Sequence, residues 1–199
     1  MGRKKMPKKP VSKRNKLVGK FVAQVFGGEF QVKEYLDDSE SMAVDILSCA
    51  DRPTRGVTSY STVGLSDSPI PWGDQEFPTR VELAGACPTS AQAFANVLAS
   101  AAFRMLKGGG AYHPGAAIEK HVSFYFKDTS VPHLYLTTPF LWKGLTSFEA
   151  GTVRVTWLQA IPIADTEHKY LKAHGDRALE KLLRKQRVDI CDLHRKSVV

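Results

Sequence analysis

The sequence predicts an α+β fold, a largely antiparallel or mixed β-sheet flanked by helices. Three observations carry this expectation: about seven strand-like segments follow mostly one after another, four segments have helical spacing, and no internal repeat is visible. A chain of 199 residues suits one core, since a domain of this size buries roughly 70% of its unfolded surface. Its 43% apolar and 24% charged residues are those of an ordinary globular protein, which excludes collagen-like, wholly disordered and membrane classes.

Residues 1–16 read as a disordered basic tail ahead of a single domain over residues 17–199, because charge runs broken by Pro7 and Pro10 cannot bury a core. From about Asn15, residues Leu17, Val18, Phe21, Val22 and Val25 recur at helical spacing until Gly27-Gly28. Strands are expected over 29–35, 42–49, 56–65 and 79–86, the second of them central because both of its faces carry apolar residues. The proline-rich segment 66–78 reads as a projecting loop. A helix capped by Thr89 or Ser90 follows, with Phe94, Leu98, Ala101 and Met105 on one face and Gly108-Gly109-Gly110 as its stop. Further strands are expected over 122–126, 134–138 and 152–161, the last ended by Pro162. Asp165 then caps a helix through Ala173, Gly175 breaks it, and Asp176 caps another whose buried stripe is Leu179, Leu182 and Leu183. Arg184, Lys185 and Arg187 suit the negative end of that helix dipole.

The net charge of +8 is unevenly spread: residues 1–20 hold nine Lys or Arg and no Asp or Glu, leaving nineteen basic and twenty acidic residues from 21 to 199. A nucleic-acid footprint is therefore not expected on the body, and contact with phosphates through residues 1–20 stands as an alternative use of the chain. Cys49, Cys87 and Cys191 are odd in number and form no CxxC pair, the usage of buried reduced thiols. The longest apolar stretch, 91–106, contains Gln92, Asn96 and Arg104 and is too short and polar to span a bilayer. No membrane partner is expected, and the localisation read from these features is cytoplasmic.

No catalytic constellation, cofactor motif or metal site emerges. The triple glycine follows a helix and lacks a following Lys-Ser or Lys-Thr, so it is a helix stop rather than a phosphate loop. His113, His121 and His133 are 8 and 12 residues apart, which matches neither the i, i+4 spacing of a helix nor the i, i+2 spacing of a strand. His168 and His174 read as solvated or helix-terminal groups. A hydrolase using Cys87 or His113 is the least favoured alternative, since neither lies in a nucleophile-elbow pattern. The loop over 66–78 offers large aromatics beside acids, the composition of an interface anchor, so Asp67, Trp72, Asp74, Glu76 and Phe77 are the candidate protein-binding residues. Trp142 and Trp157 read as core.

Five ordered blocks resemble the suppressor of fused family: YSTVGLSD over 60–67, Arg80-Val81-Glu82-Leu83, HLYLTTPFLW over 133–142, VTWLQAIPIADTEHKYLKAHG over 155–175, and VDICDLHRKSVV over 188–199. The last three are most similar to bacterial members, and the resemblance spans residues 29–199. It implies a mixed α/β domain without known enzymatic chemistry. In animals the family protein clamps a short peptide of a Hedgehog-pathway transcription factor between two domains. Bacterial members act largely as immunity proteins that neutralise toxins of polymorphic toxin systems. What the resemblance implies here is a non-enzymatic domain whose partner is a protein, a cognate toxin. Acidic side chains such as Asp67, Asp74 and Glu76 would complement such a toxin if it is a basic nuclease.

Overall fold

Alternation along the strands gives the sheet two apolar faces, and a helix lies on each. The computed structural model describes residues 11–72, 74–110 and 113–199. Helix α1 spans Lys13–Phe26, and strands β1 (Gln31–Leu36), β2 (Ala43–Ala50) and β3 (Val57–Val63) follow as an antiparallel meander. A single 3-10 turn, Leu65–Asp67, leads to a small hairpin of β4 (Pro71–Trp72) and β5 (Gln75–Glu76). Then come β6 (Thr79–Pro88), α2 (Phe94–Leu106), β7 (Ala117–Ile118), β8 (His133–Thr137), β9 (Phe148–Ala150), β10 (Val153–Ile163), α3 (Asp165–His174) and α4 (Asp176–Lys185).

The main sheet runs β1-β2-β3-β6-β10-β8-β7, with β9 beside the start of β10. Only β6 and β10 pair in parallel; the remaining pairs in the sheet are antiparallel. Val44, Ile46, Leu83, Leu158 and Ala160 face α2, whose Phe94, Leu98, Ala101 and Met105 are buried against them. On the other face Leu47, Cys49, Ala84 and Trp157 meet Val18, Val22 and Phe26 of α1. Ile161 and Ile163 continue that second face, where Leu171 of α3 and Leu179 and Leu183 of α4 cover it. Phe94 approaches the sheet closely because Gly85 has no side chain: a Cβ there would lie 2.8 Å from the Phe94 ring.

Several elements differ from the sequence expectation. Helix α1 starts at Lys13, capped by Ser12 accepting from the Asn15 N–H, so Lys13–Lys16 belong to the helix rather than to the basic tail; residues 1–10 lie outside the described residues. Segment 122–126 is a series of turns, in which the Tyr125 and Phe126 N–H groups donate back to the Val122 carbonyl. Its apolar residues fooled a periodicity argument because Val122 is buried while Phe124 is 70% exposed. Helix α2 begins at Phe94, after turns over 88–93 closed by Ala91 N–H to Pro88 and Phe94 N–H to Ala91. Strand β10 runs through Pro162 to Ile163. The β6 pairing ends at Ala160, so the N–H that Pro162 lacks is not needed there. Likewise α3 and α4 are preceded by Ala164 and Gly175 as caps, with Asp165 and Asp176 as first helical residues, where their charge suits the positive dipole end.

Candidate protein-binding surface

The projecting segment after β3 is held from beneath by two residues of β6. Arg80 and Glu82 are two apart and so share one face of the strand. The Glu82 carboxylate, fully buried, accepts from the N–H groups of Gly64 (2.9 Å) and Ser66 (3.1 Å) and from the hydroxyls of Ser66 (2.6 Å) and Thr62 (2.5 Å). Burial pushes its carboxyl above the usual range despite these donors, of which the Ser66 and Thr62 hydroxyls pull hardest the other way. Gly64 takes φ +108, a left-handed geometry that favours glycine, and turns the chain into the 3-10 turn. Arg80 donates to the carbonyls of Ser66 (3.0 Å) and Asp67 (2.9 Å) and pairs with Glu76. The G-L-S-D and R-x-E-L signatures are thus two halves of one polar clamp.

The five candidate residues do not form a single acidic patch. Asp67 sits at the base, accepting from Asn15 Nδ2 (2.9 Å) and Arg14 (3.5 Å), so α1 neutralises it. Glu76 is tied to Arg80. Asp74 is exposed in the turn of the hairpin. The backbone of Trp72 pairs with Gln75, and its side chain lies outside the described residues. Phe77 is 43% exposed, with its N–H closing the hairpin on the Ile70 carbonyl at 2.8 Å. The expected irregular loop is in fact a short hairpin on a rigid base, presenting Asp74 and Phe77 outward.

Trp142 and Trp157 are core, as expected, and their indole N–H groups donate to Ser59 (2.8 Å) and Ser61 (3.0 Å). Among the described residues no group of three or more His, Cys, Asp or Glu could hold a metal ion. His121 bonds the Val97 carbonyl and Ser100, His133 bonds Asp165 at 2.8 Å, and exposed His113 meets the Pro114 carbonyl. His168, expected to be solvated or helix-terminal, is instead buried, its ring tilted 31° against that of His133 with centroids 4.3 Å apart, because the first turn of α3 sits over β8. The cysteines are all buried and unpaired. Burial pushes the Cys87 and Cys49 thiols up, and burial with the Asp189 charge pushes Cys191 up to about 12, the reverse of what a nucleophile needs.

A second clamp, which residue spacing does not reveal, ties the C-terminal segment to α3. The Glu167 carboxylate, fully buried, takes both ends of the Arg195 guanidinium (2.6 and 2.8 Å) and the N–H groups of Ala164 (2.9 Å) and Val198 (3.0 Å). Arg195 also donates to the Pro162 carbonyl at 3.0 Å. Arg195 and Val198 both belong to the C-terminal block VDICDLHRKSVV, and Glu167 to the block before it.

The profile of the Suppressor of fused protein (SUFU) family matches residues 40–196. The Immunity protein YqcF of Bacillus subtilis (strain 168) is 37% identical over 190 residues, covering 95% of this chain and 99% of that protein. Among solved structures, a chain of the Sufu-Fu complex superposes with a TM-score of 0.71 at 15% identity, covering 96% of this chain and 93% of the other. A SUFU homolog from Neisseria gonorrhoeae FA 1090 gives 0.66 at 15% identity, over 94% and 95%. Drosophila Suppressor of Fused gives 0.57 at 14% identity, over 85% of this chain and 42% of that longer one. The structures share the fold; the profile and the Bacillus relative make this chain a member of the suppressor of fused family.

Proposed function

We propose that the chain is a protein-binding domain that works in the cytosol as an immunity protein, holding and neutralising a cognate toxin. The observation that carries this reading is the 37% identity, end to end, with an immunity protein. The hairpin supports it: Asp74 and Phe77 stand out on a base fixed by Arg80 and Glu82, so ordering the surface costs little on binding. The test is co-expression with whatever toxin-like protein the neighbouring gene encodes. Growth is rescued and the two proteins co-elute; no rescue and no complex would overturn the reading. Within a rescued pair, Asp74→Lys with Phe77→Ala weakens binding by about tenfold or more without lowering the melting temperature.

A second contact, with nucleic-acid phosphates, rests on the nine cations of residues 1–20. Binding of a duplex should fall steeply with salt and weaken sharply when residues 1–10, which hold five of the nine, are removed; a salt-independent signal would dismiss it.

A further inference from the structure

Helix α4 carries a cationic stripe that the near-neutral total for the body conceals. Arg177, Lys181, Arg184 and Lys185 recur at helical spacing, all exposed, and Arg187 follows the helix end, exposed as well. None of the five side chains enters an ion pair among the described residues; single cations elsewhere, such as Arg55 and Lys143, share that property, and what sets these five apart is their grouping on and just after one helix. Complementing the helix dipole accounts for Arg184 and Lys185 in the last turn. It does not account for Arg177 and Lys181, which stand nearer the positive end. Three carboxylates neighbour the stripe along the chain, and each already accepts a hydrogen bond: Asp176 from the Arg177 N–H, Glu180 from the Tyr135 and Thr137 hydroxyls, and Asp189 from the Cys191 N–H.

Beside the stripe opens a cavity of about 540 Å³. Its walls are largely apolar, including Val57, Leu141, Leu183, Val188 and Ile190, and Arg184 and Arg187 border it together with the acids Glu180 and Asp189. Arg187 reaches the cavity from a left-handed backbone, φ +50, in the position after a helix where glycine is the usual residue. The Val188 N–H closes the turn on the Leu183 carbonyl at 3.2 Å.

From the unpaired cations and the apolar cavity they border, we infer that α4 and the segment after it form a docking site for an acidic peptide segment of a protein partner, with one aliphatic or aromatic residue inserted in the cavity. The acids of the peptide lie along Arg177, Lys181 and Arg184, and the apolar residue supplies the anchor. A nucleic-acid backbone would satisfy the cations and leave the cavity unused, which is why a peptide is the better occupant. The site rests on the protein-binding reading and is separate from the hairpin.

The probe is a short fluorescent peptide of glutamates around a central Leu-Leu pair, titrated by anisotropy into the full chain. Replacing the pair by Ala-Ala should weaken binding about tenfold or more. Lys181→Glu with Arg184→Glu should weaken it by a similar factor while leaving the melting temperature in place, and Arg187→Gly should weaken it without loss of stability. Equal binding of the Ala-Ala peptide, or equally tight binding of a DNA duplex lost in the same variants, would overturn the inference in favour of a general polyanion surface. The titration needs no toxin, so failure here leaves the growth-rescue test standing, and failure to rescue growth leaves this site to be judged by its own measurement.

Discussion

Replacing Arg195 by Met tests whether the C-terminal segment is tied down by one buried ion pair. Glu167 is fully buried and Arg195 is 7% exposed, and the bidentate contact is joined by two backbone N–H donors to the same carboxylate. Removing the guanidinium leaves a carboxylate buried without its counter-charge, which costs about 3–5 kcal/mol. For a domain of this length that is about 6–20 °C in melting temperature. Burial alone would raise the Glu167 carboxyl, but the Arg195 contact and the two N–H groups outweigh it and hold it below the usual range. A depressed carboxyl contributes stability that is fully present above its unfolded value of about 4.3 and is lost as pH falls through the folded one. Acidification therefore weakens the wild type through this group. In Arg195→Met the sign reverses, because burial now dominates and protonation relieves the buried charge. Urea unfolding followed by circular dichroism at about pH 7 and about pH 3, below the unfolded value, reads both effects. The double variant Glu167→Leu with Arg195→Met should recover part of the loss, since neither charge is left unpaired. Strictly additive losses, or an unchanged acid slope in Arg195→Met, would refute the account.

Glu82 behaves differently. Its carboxyl is raised by burial, so the stability linked to its protonation is fully present below about 4.3 and is lost as pH rises through the folded value. Glu82→Gln should flatten that part of the pH profile and keep the turn, whereas Glu82→Ala strands the Gly64 and Ser66 N–H groups and should cost about 2–4 kcal/mol in a urea titration; equal loss in both variants would argue against the clamp. Gly85→Ala places a methyl 2.8 Å from the Phe94 ring and should cost about 1–3 kcal/mol by thermal unfolding, with a fold otherwise intact. A stability gain there would show that α2 has room to move.

Local pattern determined the elements whose neighbours agree with them. Alternation in Ala43–Ala50 and Val153–Ile163, the Phe94-Leu98-Ala101-Met105 face and the Leu179-Leu183 stripe were all legible, and each is buried as its spacing requires. The order of blocks carried the family as well. Where a short segment's conformation depends on what it packs against, pattern failed: 122–126 has strand-like residues, yet its backbone bonds to itself and to Pro132. Pairing of distant charges was equally hidden. Asp67 and Glu76 are exposed acids, as composition counted them, yet the fold pairs them with Arg14 and Arg80; and a body near neutral in total carries five cations without ion pairs on and after α4. Spacing along a chain reports which residues share a strand or helix face. Which charges meet across 28 residues, as Glu167 and Arg195 do, is decided only when the sheet and its helices close on one another.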